Sequence, residues 1–293
     1  LRTAAEAAAP DKVLIAGVGK ESVKSTVAMA EWAARLQFDA VLVRTPTYYS
    51  PQMSAEAVLT YYRSVADRSP LPVLLYNIPR FVPYNIPVEV IAELAQHSNI
   101  IGIKESSGSL ERVRAIVEAT RSAPRLTVTV TSIFEAATAR MLKPGIREPE
   151  PSTFVSAEGL AGGVALASAP PKTPVKTRTK EIGFQVLTGS VSTIVESLES
   201  GATGAILGFA ACAPQACQEV YLAWKDHDPK LAAAKQERIA EPSRQIVAGM
   251  GISGVKYACD FNGYYGGHAR LPMLPINMEQ RSEIERLLAG IRN

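Results

Sequence analysis

NIIGIKES, Asn99 to Ser106, carries the pattern from which the architecture follows. Its apolar residues run nearly unbroken, as a strand covered on both faces requires, and the run stops on Lys104, Glu105 and Ser106. The same form recurs upstream in PVLLYNIP (Pro72 to Pro79), AVLVRTP (Ala40 to Pro46) and VLIAGVG (Val13 to Gly19). Downstream it returns in FQVLTGS (Phe184 to Ser190) and GAILGFA (Gly204 to Ala210). Between these runs lie segments of helical period: Ser22 to Leu36, Ser54 to Asp67, Pro87 to Gln96, Ser109 to Arg121 and Val191 to Ser200. The alternation predicts repeated βα units and places the chain in the α/β class.

Polar residues gather at one end of the runs. Thr45, Tyr48, Tyr49, Tyr76, Asn77, Lys104, Glu105, Ser106, Thr188 and Ser190 all fall at or just past C-terminal strand ends. In a (β/α)8 TIM barrel that rim holds the active site, because strand ends converge there while the loops vary without disturbing the core. A flavodoxin-like open sheet also binds ligands at strand C termini, usually beside a Gly-rich phosphate loop. GVGKES (Gly17 to Ser22) lacks the G-x-x-x-x-G-K-[ST] spacing and reads as an ordinary strand-to-helix turn. The barrel is the expected fold.

Six strand-like runs are present where a closed barrel has eight. Residues before Val13 read as helix, and the chain does not begin with Met. About the first two βα units are therefore expected to be missing. From 124 to 181 the text is rich in Pro, Ala, Ser, Thr, Gly and Lys and poor in period, as an irregular insertion would be, with one short helix over Ser132 to Met141. Residues 1–210 thus form an incomplete barrel. Residues 211–293 form a C-terminal helical region, with helices over Pro214 to Lys225, Pro229 to Met250 and Met278 to Ile291 and a loop GYYGGHARLPMLP before the last.

Composition removes several function classes. The 293 residues are 47% hydrophobic and 20% charged, enough for a full core, and the net charge of +3 is scattered rather than gathered into a nucleic-acid footprint. No apolar stretch reaches the roughly 20 residues needed to span a bilayer, and LRTAAEAAAPDK holds no secretory h-region. Cys212, Cys217 and Cys259 show no CxxC spacing, which favours a reduced, intracellular compartment, cytoplasmic or mitochondrial. The three histidines, His97, His227 and His268, lie far apart and off the strand ends, so no metal site is expected.

Lys104 is the first chemical candidate. Burial among apolar walls favours the neutral amine, which can attack a carbonyl carbon; a solvated lysine at a strand end is the bland alternative. Tyr76 ends the neighbouring strand, where its phenol can stand across the mouth from Lys104 and relay a proton. Glu105 alternates to the opposite face and is expected in a structural salt bridge rather than as a base. Cys212 and Cys217, about one helical turn apart, are expected to pack, and the basic tract Lys172 to Lys180 to be a solvated part of the insertion.

YNIP followed by GIKE, with TPTYYSP one strand earlier, resembles the dihydrodipicolinate synthase and N-acetylneuraminate lyase superfamily of class I aldolases. The likeness covers Val13 to Ala123 and resumes at Phe184. It implies a (β/α)8 barrel in which Lys104 forms a Schiff base with a 2-oxo acid and Tyr76 shuttles protons. It also implies that Tyr48 (Tyr49 if the register shifts by one) completes the relay across a subunit interface. Gly189, Ser190 and Ile206 match positions lining the family's substrate pocket, and Ser106 matches a serine beside the lysine in one branch. No cofactor is implied, since the imine is the electron sink. The partners implied are a small 2-oxo acid and further copies of the chain, as a dimer or tetramer.

Within the superfamily, IAEPSRQIVAGMGISGVKYACDFNGYYGGHARLP looks like the 4-hydroxy-2-oxoglutarate aldolase branch, which releases pyruvate and glyoxylate. Dihydrodipicolinate synthases carry an arginine two residues beyond the proline of YNVP, where this chain has Phe81. The expected function is cleavage of 4-hydroxy-2-oxoglutarate or a similar acid. A pyruvate-condensing synthase and an inactive barrel remnant are the alternatives. One departure is plain: no Gly-rich hydroxyl motif with a following Gly-Glu precedes Val13, and little turnover is expected without it.

Overall fold

The computed structural model describes residues 1–131, 137–142 and 177–291. Six strands build the main sheet: β1 (Ile15–Gly17), β2 (Ala40–Arg44), β3 (Val73–Asn77), β4 (Ile100–Glu105), β7 (Gln185–Thr188) and β8 (Gly204–Ala205). They pair in parallel and in sequence order, so each βα unit lies beside the last, and β1 and β8 are the two edges. All six match the apolar runs read from the sequence. The helices α2 (Val23–Arg35), α3 (Ala55–Ala66), α4 (Val88–Leu94), α5 (Leu110–Ala119) and α7 (Ile194–Glu199) follow the strands as the period predicts. A short α1 (Arg2–Ala7) precedes β1.

The starts of these helices are chemically marked. The hydroxyls of Ser22, Ser54 and Ser109 accept from the backbone N–H of Ser25, Ala57 and Arg112, satisfying donors that the helix cannot pair internally. Each such cap is worth about 1 kcal/mol. The buried face of the sheet carries Val41, Val43, Val73, Leu75, Ile103 and Val186 against Ala30, Ala33, Val58, Val65, Ile91, Leu94 and Ile116 of the helices. Full burial of such a side chain contributes roughly 1.5–3 kcal/mol before entropy is subtracted. The other face is half-open, with Leu42, Arg44, Tyr76, Lys104, Gln185 and Leu187 only partly covered.

One irregularity sets which face Lys104 takes. Val73 pairs with Ile100, but the next residue, Leu74, pairs with Gly102, so Ile101 is an extra residue in β4. Cross-strand partners share a face and residues alternate. Without the extra residue Lys104 would pair with Asn77 and point into the helices. With it, Lys104 pairs with Tyr76 and faces the cavity side.

The C-terminal region has its own core, built from α7, α8 (Pro214–Lys225), α9 (Pro229–Ser243), α10 (Gly251–Phe261) and α11 (Met278–Leu288). Here the structure differs from the sequence reading. The helix expected over 229–250 ends as α9, and Arg244–Met250 winds as a π-helix just after Pro242, which has no N–H to donate. Residues 251–261, left unassigned by pattern among Gly249, Gly251 and Gly254, form α10. Gly254 sits in it because a Cβ there would come within 2.5 Å of the Met250 Cβ.

The stretch expected to be irregular over 124–181 is not so at its ends. β5 (Leu126–Thr131) and β6 (Thr177–Ile182) form an antiparallel ladder, supported by the alternation of LTVTVT. α6 (Ala139–Leu142) covers the end of the helix expected over Ser132 to Met141. Residues 132–136 and 143–176, with most of the basic tract from Lys172, lie outside the described residues. Because this ladder leaves α5 and returns to β7, it sits at the N-terminal ends of the strands, opposite the Lys104 rim. The Arg140 guanidinium donates to the Ala8 carbonyl at 2.9 Å and to the Lys12 carbonyl, tying α6 to the segment entering β1.

Candidate active site

The site is built on one rung of the sheet. Tyr76 of β3 and Lys104 of β4 are direct register partners, and Lys104 Nζ donates to the Tyr76 hydroxyl at 3.0 Å. The same nitrogen lies 4.2 Å from the Tyr76 ring centroid, in range of the π-face. Both side chains are half-buried. Gly102 sits one repeat below Lys104, and a Cβ there would stand 2.2 Å from the Gln185 carbonyl oxygen of β7. Only glycine lets the two backbones approach so closely at the lysine-bearing strand.

Behind the lysine, on the helix side, Glu105 is buried to 2% exposure. Its carboxylate accepts from Arg112 Nε at 2.9 Å, from the Ser107 N–H at 2.6 Å and from Asn77 Nδ2 at 3.0 and 2.9 Å. Asn77 Oδ1 in turn accepts from the Ile86 N–H at 2.9 Å, and Arg112 also donates to the Ile86 carbonyl. Glu105 is therefore a structural salt bridge, as the alternation predicts. It locks the end of β4 to the loop after β3, fixing the two strand ends that carry the amine and the phenol.

The remaining sequence candidates divide into two groups. Ser106, Gly189, Ser190 and Ile206 lie at the same rim, just past the ends of β4, β7 and β8 (Gly204–Ala205). Gly189 N–H donates to the Glu105 carbonyl at 2.7 Å, and Ile206 N–H to the Thr188 carbonyl at 2.9 Å. Ser190 N–H reaches Thr188 Oγ1 at 3.3 Å. A Cβ on Gly189 would fall 1.9 Å from Ser106 Oγ, so the glycine makes room for that hydroxyl, which is buried without a hydrogen-bond partner among the described residues. A buried hydroxyl with free bonding capacity at the strand-end rim can serve a polar ligand.

Tyr48 is not brought to the pair within one chain. Its side chain is 81% exposed and meets Tyr49 edge-on at 5.3 Å. Its backbone N–H is bound by Glu21, whose carboxylate is held by Arg44. Burial pushes the Glu21 carboxyl up, but the bonds from the Tyr48 N–H, Arg44 and the Thr47 N–H outweigh it and hold the group below its usual range. Phe81 is 67% exposed, and the Arg80 guanidinium lies 5.6 Å from its ring centroid and donates to the Ala248 carbonyl. The sequence reading missed Glu21, Arg44 and Arg112. Glu21 lies inside GVGKES, which reads as an ordinary strand-to-helix turn, and a helix arginine such as Arg112 carries no local signal.

Cys212, Cys217 and Cys259 are buried and free, and burial pushes the first two thiols up to about 12, in keeping with packing residues. Among the described residues no helix is long and apolar enough to cross a membrane, and no three His, Cys, Asp or Glu side chains group as metal ligands.

The profile of the Dihydrodipicolinate synthetase family matches residues 1–148 and 166–291. The 4-hydroxy-tetrahydrodipicolinate synthase of Gluconacetobacter diazotrophicus is 27% identical over 277 residues, covering 94% of this chain and 73% of its own. The enzyme of that name from Acidiphilium cryptum is 25% identical over 278 residues, covering 95% and 74%. Among solved structures, the E. coli K12 prophage protein YagE, of the dihydrodipicolinic acid synthase family and solved with pyruvate, aligns with a TM-score of 0.72 at 21% identity, over 99% of this chain and 78% of its own. That likeness speaks for the fold, which is the barrel type expected. The two curated relatives carry the synthase name rather than that of the 4-hydroxy-2-oxoglutarate aldolase branch, which the C-terminal text resembles. The match over most of its length means that the chain belongs to the dihydrodipicolinate synthetase family.

Proposed function

We propose that this chain is a Schiff-base enzyme acting on pyruvate or a similar 2-oxo acid, with Lys104 as the nucleophilic amine and Tyr76 as its proton carrier. The observation that carries the reading is the 3.0 Å hydrogen bond between the two on adjacent strands. The neutral amine adds to the keto carbon, and the carbinolamine then loses its hydroxyl as water to leave the imine. Tyr76 is placed to hand over the proton that the departing oxygen needs. Loss of a C3 proton gives the enamine, which can add to an aldehyde; run backwards, the same steps cleave a carbon–carbon bond. Ser106, with Gly189, Ser190 and Ile206 around it, binds the acid, and Tyr48 extends the relay into the site of a second copy.

The names of the relatives favour the condensing direction, a 4-hydroxy-tetrahydrodipicolinate synthase-like reaction. A second reading, cleavage of 4-hydroxy-2-oxoglutarate, is favoured by Phe81, which leaves no guanidinium at the position where the synthases hold a substrate carboxylate. Borohydride reduction with pyruvate tests what the two share. A stable adduct on the peptide containing Lys104, absent from Lys104→Ala, is expected; adduct formation elsewhere, or none, rejects the reading. Glyoxylate release from 4-hydroxy-2-oxoglutarate then separates cleavage from condensation.

A further inference from the structure

Residues 44–48 lead out of β2 toward the exposed Tyr48, and their main chain is held at nearly every step. Arg44 Nη1 donates to the Thr45 carbonyl at 2.9 Å and to Thr47 Oγ1 at 3.0 Å. Arg44 Nη2 donates to Glu21 Oε1 at 2.8 Å. Glu21 Oε2 accepts two successive backbone donors, the N–H of Thr47 at 2.8 Å and of Tyr48 at 2.9 Å. The Tyr84 hydroxyl donates to the Pro46 carbonyl at 2.6 Å. Charge-assisted bonds of this kind are roughly twice as strong as neutral ones, and two on neighbouring amides fix the local backbone. The clamp stands on the catalytic rung, since Arg44 is the register partner of Tyr76.

So much restraint is spent on a segment whose tyrosine is 81% exposed and meets the Tyr49 ring edge-on. A free side chain on a fixed backbone is what a group presented to another molecule requires: the loop loses little further entropy when the phenol docks. We infer that Glu21 and Arg44 are positioning residues that hold Tyr48 in place to deliver protons to the Lys104–Tyr76 pair of a second copy. The inference rests on the Schiff-base reading, and it assigns the anchoring to a carboxylate on the β1–α2 turn rather than to the tyrosine loop itself.

A purely structural clamp would stabilise the loop without touching proton transfer, so the test separates the two. In D2O, enamine formation exchanges the methyl protons of pyruvate for deuterium, which proton NMR reads without a complete turnover. Borohydride trapping reads imine formation alone. In Glu21→Ala, trapping on Lys104 is expected to persist while exchange slows by about tenfold or more. Glu21→Gln, which keeps one acceptor oxygen, should recover part of the rate. In a Tyr48→Phe background the Glu21→Ala change should cost nothing more, because residues acting as one unit are not additive. Hydrogen exchange of the 44–50 peptide should be faster in Glu21→Ala than in the wild type, whether or not the enzyme turns over.

Additive losses, an unchanged exchange rate in Glu21→Ala, or equal loss of trapping and exchange would each overturn the inference. So would wild-type trapping without pyruvate exchange, or a Tyr48→Phe variant at full rate. Those two results leave the Schiff base standing. Absence of trapping in the wild type would instead bring down the reading beneath it.

Discussion

At the scale of single residues, the site is a short list of atoms backed by a buried ion pair. Lys104 and Tyr76 were legible in the sequence because chemistry of that kind has few homes: an amine and a phenol at adjacent strand ends. The groups that aim them were not. Glu105 looks like any charged residue after a strand, and its partners Asn77 and Arg112 are 28 and 7 positions away in sequence. Replacing Glu105 by Ala would strip the largely buried Arg112 charge of its only carboxylate among the described residues, leaving it the Ile86 carbonyl, and would leave the Asn77 amide only Asn85 Oδ1. The expected cost is about 3–5 kcal/mol, read as a lower denaturant midpoint with unchanged slope. A loss under about 1 kcal/mol would show that solvent replaces the carboxylate with ease.

At the scale of elements, strand existence was readable and strand phase was not. Ile100, Ile101 and Ile103 give β4 an apolar residue at almost every position, so alternation alone offers two equal choices for Lys104. The extra residue Ile101 makes that choice, and only pairing with β3 reveals it. The α10 segment has no assignment from pattern for a related reason: its glycines blur the helical period, where they instead allow tight packing of Gly254 against Met250. Gly102 is the counterpart in the sheet. Gly102→Ala should force β4 and β7 apart, destabilising the fold by about 1–3 kcal/mol and weakening the pyruvate adduct on Lys104 more than the global loss explains. Thermal melting and trapping on the same sample check both halves, and wild-type values for the two would refute the close approach.

At the scale of the whole molecule, the barrel strands and the helical C-terminal region each bring a core, and Lys104 and Tyr76 belong to the upper ends of the strands. The β5–β6 ladder belongs to the lower ends, fastened by Arg140 to the chain entering β1. Composition marked this stretch as an interruption. It could not foretell the ladder, because threonine-rich alternation is weak evidence without a partner strand in view. Replacing residues 143–176 with a short Gly-Ser turn should leave the melting temperature within a few degrees, since loop-closure entropy changes slowly with length. Trapping on Lys104 should be undiminished, and its loss would place that stretch at the chemistry after all. The arrangement also has a practical side. A reporter or surface anchor spliced between Leu142 and Thr177 would hang beneath the floor of the molecule, so a protein tethered there would keep its Lys104 rim turned toward the solution.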